Sequence, residues 1–389
     1  MKKAVLNLFV ILLLVASAEA VFAQARPRAR DLGVPFEGVT GPLNAITDVQ
    51  GVEVGYTTLI SGNGNLVVGK GPIRTGVTAV LPKGKDFRGR VFAAWHTLNG
   101  NGEMTGTAWV EESGSLGTPI VITNTHSVGV VRDAVIEWNA RRSTGQGYSG
   151  DFSLPLVTET WDGFLNDING FHVKKEHVFQ ALDGAKSGPV AEGNVGGGTG
   201  MVAHGFKGGT GTASRKLSSS DGGYTIGALV QANYGRRDLL RIAGVPVGKE
   251  IPDLTPAPGK PGDGQGSIIV VIATDAPLLP HQLKRIAKRV SLAIGIMGGR
   301  GEDSSGDIFV AFSTANPEIS KDSGLAQLTM LPNEKINSLF RGTVEATEEA
   351  IVNAMIAAET MEGINGNKVH AIPHQRLRDA LRKHNRLVK

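Results

Sequence analysis

Short apolar runs alternate with glycine, proline and asparagine through the first half of the chain, a pattern typical of β-strands bounded by turns. The segment 128–142 differs, because Val131, Val135 and Trp138 recur at a spacing near that of an α-helix and predict one there. The first half is therefore expected to be rich in strands. Strands are predicted over residues 76–82, 90–95, 118–123 and 224–233.

The second half contains one segment, 267–273, that is apolar almost without interruption and predicts a strand covered on both faces. After Pro280, an apolar stripe over 283–294 lies opposite lysines and arginines and predicts an amphipathic helix. This order of elements predicts an α/β fold, with sheets buried between helical layers in one compact domain. A further strand is expected over 307–313, with helices over 333–360 and 373–385.

The N-terminus has the layout of a secretory signal peptide. Two lysines precede an apolar run over 4–16, and small residues at A-x-A-like spacing follow. Cleavage is expected after Ala23, because Gln24 begins a polar, arginine-rich stretch, and a cut after Ala20 is the second choice. We expect removal of residues 1–23 and a periplasmic or secreted protein without membrane attachment. An uncleaved N-terminal anchor is the rival interpretation.

The amino-acid composition excludes several classes of function. The 389 residues include no cysteine, which excludes zinc sites built on thiolates and a cysteine nucleophile. The nine histidines show no HExxH or comparable ligand spacing, so neither a metal nor a cofactor is predicted. Loss of the leader lowers the formal net charge from +4 to +3, and we therefore expect no nucleic-acid partner.

A glycine- and proline-rich segment over 244–266 predicts a flexible linker that leads directly into the apolar strand at Ser267. A serine that opens a strand is the ordinary interpretation of this position. If the Gly266–Ser267 bond were cut, Ser267 would carry a hydroxyl beside a free α-amine with a reference pKa of about 7.7–8.0. The amine could then take the hydroxyl proton, which gives a nucleophile with its own base.

Eight ordered motifs extend over nearly the whole mature chain, at 28–33, 44–55, 100–106, 159–170, 193–201, 231–236, 266–270 and 373–377. With these motifs the chain resembles the self-processing serine aminopeptidases, the family that includes the L-aminopeptidase/D-esterase-amidases and the β-peptidyl aminopeptidases. The resemblance implies a four-layer αββα sandwich of the N-terminal-nucleophile type, cleaved before the serine at this seam. It also implies one domain made of two chains, 24–266 and 267–389, and a homo-tetramer of processed subunits.

The resemblance assigns catalytic roles to four residues. Ser267 matches the nucleophile and Asn233 the oxyanion-hole asparagine, whose amide N–H can contribute on the order of 3 kcal/mol. Ser305 and Asp307 match a Ser-x-Glu pair that orients the α-amine and stabilises its protonated form. Asp307 is one methylene shorter than the family's glutamate, which leaves its role open. Without the family, Asn233 is a turn residue that ends a strand, and 302–307 is a polar turn before the next one.

Glu159 and Trp161 match positions that contact the substrate in the same family. A carboxylate beside an aromatic face can recognise a free N-terminal ammonium by ion pairing and by cation–π attraction. Some family members carry tyrosine where Trp161 stands, so a tyrosyl hydroxyl contact would be lost here. Without the family, the segment is a loop with a half-buried tryptophan.

These features predict an exported aminopeptidase or amidase that cleaves Gly266–Ser267. It would then release N-terminal residues from small peptides, amides or esters with a free amine, through an acyl-enzyme on Ser267. One alternative is an acyltransferase of the ornithine-acetyltransferase type, although that group is cut before threonine in a cytoplasmic protein. The other is an exported binding module that keeps the fold without chemistry. The preferred residue, its chirality and the α- or β-amino preference stay open.

Overall fold

The computed structural model describes residues 26–142, 152–259, 266–320 and 324–388, so the predicted leader lies outside the described residues. The strands are β1 (Glu53–Ser61), β2 (Ile73–Leu81), β3 (Val91–Thr97), β4 (Ser115–Leu116), β5 (Ile120–Asn124), β6 (Leu156–Thr160), β7 (Val202–Ala203), β8 (Phe206–Lys207), β9 (Gly209–Lys216), β10 (Thr225–Asn233), β11 (Gly266–Thr274), β12 (Ser305–Ser313), β13 (Met361–Glu362) and β14 (Lys368–Val369). The α-helices are α1 (Thr107–Ser113), α2 (Val128–Arg142), α3 (Lys175–Asp183), α4 (Val247–Glu250), α5 (Pro280–Ile296), α6 (Asn337–Ile356) and α7 (His374–Lys383).

Two mixed sheets carry most of the strands. Sheet I has the order β1-β2-β5-β6, and only its β5–β6 pair is parallel. Sheet II has the order β4-β3-β12-β11-β10-β9, and only its β11–β12 pair is parallel. Because β11 and β12 run together and β10 runs against them, the starts of β11 and β12 and the end of β10 meet at one edge of sheet II.

Strand β11 shows why the two sheets and their helices form layers. Alternate residues of a strand point to opposite faces. Ile268 and Val270 belong to the apolar cluster formed with α5 and α6, whereas Ile269 and Val271 pack in the cluster shared with sheet I. A third cluster packs α2 and α3 on the outer face of sheet I. The expected four-layer αββα sandwich in one domain is thereby confirmed.

Several predicted elements agree closely with the structure. The helix expected over 128–142 is α2, and the strand expected over 267–273 is β11, which begins one residue earlier and ends one residue later. The helix expected over 333–360 is shorter, because a 3₁₀ turn at Asn333–Lys335 precedes α6. Within the described residues, no helix is long and apolar enough to cross a membrane.

The segment 244–266 differs from the sequence-based prediction, which expected no helix there. A single helical turn, α4, forms in it, although its glycine and neighbouring prolines disfavour a helix. Tertiary packing outweighs that propensity. Val247 is fully buried in the core, and an added Cβ on Gly248 would lie 1.5 Å from the Arg237 carbonyl oxygen.

We predict that Gly211→Ala destabilises the fold, since α6 lies directly on β9 at this position. An added Cβ would lie 2.1 Å from the Ala350 carbonyl oxygen and 2.6 Å from the Ala354 nitrogen, both backbone atoms of α6. Overpacking of this kind costs roughly 1–3 kcal/mol. Thermal unfolding should show a lower Tm than the parent.

Gly295→Ala is the matched control, because Gly295 lies in α5 with no atom within 4 Å of an added Cβ. Alanine is the better helix former, so the Tm should stay constant or rise. Equal effects of the two substitutions would contradict this account of the packing between α6 and β9.

Candidate active site

Ser267 lies where the three strand ends meet at the edge of sheet II. It is the second residue of β11 and pairs with Asn233, the last residue of β10. The preceding position has no room for a side chain. An added Cβ on Gly266 would lie 2.2 Å from the Asn233 carbonyl oxygen and 3.0 Å from the Tyr234 Cα. The close approach of two backbones therefore explains why glycine precedes the serine.

The Asn233 side chain is held at both ends of its amide. Its Oδ1 accepts a hydrogen bond from the Val202 backbone N–H at 2.8 Å, and its Nδ2 donates to the Trp161 carbonyl oxygen at 2.9 Å. A donor on one side and an acceptor on the other define which end carries the oxygen. The second Nδ2 hydrogen has a fixed direction as a result, which is what a preorganised oxyanion donor requires.

Ser305 and Asp307 form a buried pair at the start of β12. Ser305 Oγ donates to Asp307 Oδ1 at 2.7 Å, and the Ile268 backbone N–H donates to the same oxygen at 3.2 Å. The shorter aspartate thus reaches the peptide group that follows Ser267 directly. Burial raises the pKa of Asp307 to about 6, although the Ser305 hydrogen bond acts in the opposite direction.

A loop over 99–106 connects this pair with sheet I. The loop packs so closely on β12 that an added Cβ on Gly306 would lie 2.5 Å from the Asn101 carbonyl oxygen. On the other side, a Cβ on Gly102 would lie 3.3 Å from Oε1 of Glu159, which belongs to β6. The Glu159 carboxylate therefore lies one loop residue away from the start of β12.

The Glu159 carboxylate is buried and hydrogen-bonded. Its Oε1 accepts from the Glu103 backbone N–H at 3.0 Å, and its Oε2 accepts from the Thr125 hydroxyl. Burial raises its pKa, whereas the two hydrogen bonds lower it. Among the described residues, no lysine or arginine forms an ion pair with it. This carboxylate can accept a cation.

Trp161 contributes to the site through its backbone. Its carbonyl oxygen contacts Asn233, whereas its ring packs over Gly163 and against the small apolar cluster that includes Phe164 and Leu165. Ser267, Asn233, Ser305 and Asp307 lie where the three strand ends of sheet II meet, and Glu159 approaches them from sheet I across Gly102. The Trp161 ring packs instead with the cluster of Phe164 and Leu165.

Sequence reasoning missed Asn99 and Thr125. Asn99 Oδ1 accepts from the Asp307 backbone N–H at 2.6 Å, and Asn99 Nδ2 donates to the Glu302 carbonyl oxygen at 3.0 Å. Asn99 directly precedes the motif at 100–106, which was the available signal. Thr125 is 34 positions before Glu159 and carries no local signal.

Within the described ranges, no group of three or more histidine, aspartate or glutamate side chains could hold a metal ion. The chemistry available at this edge is that of a hydroxyl, a carboxamide and two carboxylates. A four-layer αββα sandwich with these groups at the start of a buried strand defines a class of serine hydrolase.

Comparisons with known proteins agree with this class. The family model of peptidase family S58 matches residues 44–369. A β-peptidyl aminopeptidase, BapA, of Sphingosinicella microcystinivorans is 56% identical over 374 residues, which cover 93% of this chain and 93% of the relative. The chain therefore belongs to peptidase family S58.

Two solved structures are also similar. The L-aminopeptidase D-Ala-esterase/amidase of Ochrobactrum anthropi, described as a variant of the Ntn-hydrolase fold, is 50% identical with a TM-score of 0.85, covering 93% of this chain and 100% of that one. A β-aminopeptidase of Burkholderia sp. is 50% identical with a TM-score of 0.84, covering 92% and 99%. The expected family and the enzyme class, a serine aminopeptidase, are confirmed. This favours a peptidase over the acyltransferase and the non-catalytic module.

We predict that Asp307→Asn stabilises the uncleaved chain more at pH 8 than at pH 5. The pKa of Asp307 is raised from 3.8 to about 6, so folding penalises the ionised form. The penalty is absent below the unfolded pKa and complete above the folded one. The difference between the two pH values amounts to about 1 kcal/mol, and Tm measurements in a Ser267→Ala background would detect it.

Asp303→Asn is the control for loss of one carboxylate, because Asp303 is exposed in the turn before β12. It should leave the pH dependence of the Tm as in the parent. If Asp307→Asn shifted the Tm equally at both pH values, the buried carboxylate would not have the raised pKa described above.

Proposed function

We propose that this protein is an exported serine aminopeptidase that cleaves its own Gly266–Ser267 bond and then hydrolyses peptides, amides or esters through an acyl-enzyme on Ser267. The observation that carries the proposal is the arrangement at the edge of sheet II. A serine hydroxyl, a carboxamide held at both ends and a glycine that admits no side chain lie on paired strands.

Self-cleavage requires attack of Ser267 Oγ on the Gly266 carbonyl carbon. The C–N bond breaks, the Ser267 nitrogen gains a proton, and an ester joins Gly266 to Ser267 Oγ. Water then hydrolyses the ester, which releases the Gly266 carboxylate and leaves Ser267 with its hydroxyl and a free amine. The burial of Ser267 in the uncleaved chain, where it is 4% exposed, supports cleavage before any substrate reaches the hydroxyl.

In the hydrolytic cycle, the Ser267 amine takes the hydroxyl proton as Oγ attacks the substrate carbonyl. Negative charge develops on the carbonyl oxygen, and the second Nδ2 hydrogen of Asn233 can stabilise it. Collapse of this intermediate expels the leaving amine with the transferred proton. Water activated by the same amine then hydrolyses the acyl-enzyme and regenerates Ser267.

The two carboxylates have separate tasks in this scheme. Asp307, hydrogen-bonded to Ser305 and to the Ile268 N–H, lies where it can stabilise the ammonium form of the Ser267 amine. Glu159, buried without a basic partner among the described residues, is suited to the N-terminal ammonium of the substrate.

The preferred substrates would be peptides with a β-amino residue at the N-terminus. This follows the name of the relative from Sphingosinicella microcystinivorans, at 56% identity. Export and periplasmic or secreted location follow from the leader pattern at 1–23. A homo-tetramer remains part of the proposal, and the exposed apolar side chains of Trp109 on α1 and of Leu292 and Ile296 on α5 offer surface for contacts between subunits.

We predict that Ser267→Ala abolishes both self-cleavage and hydrolysis, because the same oxygen acts in both reactions. Intact-mass analysis of the parent should give two chains, the smaller beginning at Ser267, and of the variant a single chain. Release of p-nitroaniline from β-alanyl and L-alanyl p-nitroanilide reports on hydrolysis. A cleaved and active Ser267→Ala protein would exclude the proposed nucleophile.

The control for this experiment is Ser313→Ala. Ser313 is a fully buried strand serine at the opposite end of β12, with its hydroxyl bonded to the Ala276 carbonyl oxygen. Its substitution should lower stability without blocking cleavage or turnover.

We predict that Glu159→Gln weakens recognition of the free amine. The loss should amount to about 10- to 100-fold in kcat/KM, from the roughly 1.5–3 kcal/mol of a hydrogen bond to a charged group. The parent should prefer β-alanyl p-nitroanilide over its N-acetyl form, and the variant should lose most of that preference. Glu103→Gln, at the exposed neighbouring carboxylate, should keep it. Undiminished selectivity in Glu159→Gln would reject this role.

A further inference from the structure

Lys207 is a lysine that the catalytic scheme above does not use. It lies in β8 with no exposed surface, and its Nζ donates to the carbonyl oxygens of Met201 and Gly208, both at 2.9 Å. Within the described residues, no carboxylate pairs with it. Burial alone lowers its pKa to about 7. Burial of an ammonium group without a counter-ion costs folding free energy, and the two carbonyl contacts of Nζ offset part of that cost.

Those contacts lead to Asn233 in one step. The Met201 carbonyl and the Val202 N–H belong to the same peptide group, and the Val202 N–H donates to Asn233 Oδ1 at 2.8 Å. The hydrogen bonds therefore form a chain from Lys207 Nζ through this peptide group to the carboxamide. Each donor in such a chain polarises the next one.

The same peptide group is fixed by the surrounding strands. Val202 and Lys207 are cross-strand partners in the β7–β8 ladder, and the Gly208 N–H also donates to the Met201 carbonyl oxygen, at 2.9 Å. The Lys207 backbone N–H donates to the His370 carbonyl oxygen at 2.8 Å. With its main chain anchored, the Lys207 side chain can reach both carbonyls from one position.

We propose that Lys207 is a positioning residue for Asn233, acting through the Met201–Val202 peptide group to hold and polarise the carboxamide that serves as oxyanion donor. This inference rests on the proposed function of Asn233. Loss of Nζ removes one of the two donors to the Met201 carbonyl oxygen, so the peptide group is held less tightly and the direction of the second Nδ2 hydrogen is less well fixed. The acyl-transfer step, rather than substrate binding, should then be impaired.

The test is a double-mutant cycle with Lys207→Met and Asn233→Ala. Turnover of β-alanyl p-nitroanilide is measured for each protein and normalised to the cleaved chain determined by intact mass. Lys207→Met should lower kcat about 10-fold with KM nearly unchanged, a fraction of the roughly 100- to 1,000-fold loss from removal of an oxyanion donor. In the Asn233→Ala background, Lys207→Met should have no further effect on kcat.

Phe206→Leu is the matched control, because Phe206 is the other residue of β8 and is equally buried. It should lower the Tm and leave kcat unchanged. If Lys207→Met fails to fold, Lys207→Gln carries the cycle with a smaller expected loss of kcat, since glutamine keeps an N–H donor without the charge. That loss should again disappear in the Asn233→Ala background.

Two results would overturn the inference. One is an unchanged kcat of the cleaved Lys207 variant, and the other is a loss that multiplies fully with that of Asn233→Ala. Failure of the proposed role of Asn233 gives a different result, because Asn233→Ala alone would then leave kcat intact. In that case no oxyanion donor exists at Asn233 for Lys207 to position, and the inference falls together with that role, whereas the proposed hydrolase activity is still tested by Ser267→Ala.

Discussion

The pairing of Asn233 with Ser267 between β10 and β11 is the contact on which the rest of the site depends. A shift of β11 by one residue along the ladder would turn the Ser267 side chain to the opposite face of sheet II from that of Asn233. Because β11 is apolar on both faces, its hydrophobic pattern alone does not set the register. Gly266 does, since an added Cβ there would lie 2.2 Å from the Asn233 carbonyl oxygen. In the proposed self-cleavage, the carbonyl of the same glycine is the group that Ser267 Oγ attacks.

Both sheets contribute groups to the site, and the packing between them therefore determines its geometry. Sheet II supplies Ser267, Asn233 and Asp307, whereas β6 of sheet I supplies Glu159 and leads to the carbonyl of Trp161. The layer between the sheets is formed by buried apolar side chains from both. Such interiors are dense and resist small displacements, which keeps groups from different sheets at hydrogen-bond distance.

Much of the fold could be predicted because its elements have strong local patterns. The apolar run of β11 and the helical spacing of Val131, Val135 and Trp138 each belong to one element. The resemblance in the motifs also indicated Glu159, Asn233, Ser267 and the pair formed by Ser305 and Asp307. Sequence could not reveal contacts between distant segments that carry no motif. Two such contacts are the hydrogen bond from the Thr125 hydroxyl to the Glu159 carboxylate and the one from the Ile268 backbone N–H to Asp307. Both depend on strand register and loop packing.

The polar side chains of the site contact peptide groups more often than one another. Asn233 is held by a backbone N–H and a backbone carbonyl, Lys207 by two carbonyls, and Glu159 by one N–H and a hydroxyl. Peptide groups of paired strands lose no side-chain entropy when they bind, so this framework is in place before a substrate arrives. Few charged side chains are then needed at the site, and Glu159 is one of them. Because Glu159 has no basic partner in the described part of the chain, the ammonium of a substrate would be the cation that completes its pairing.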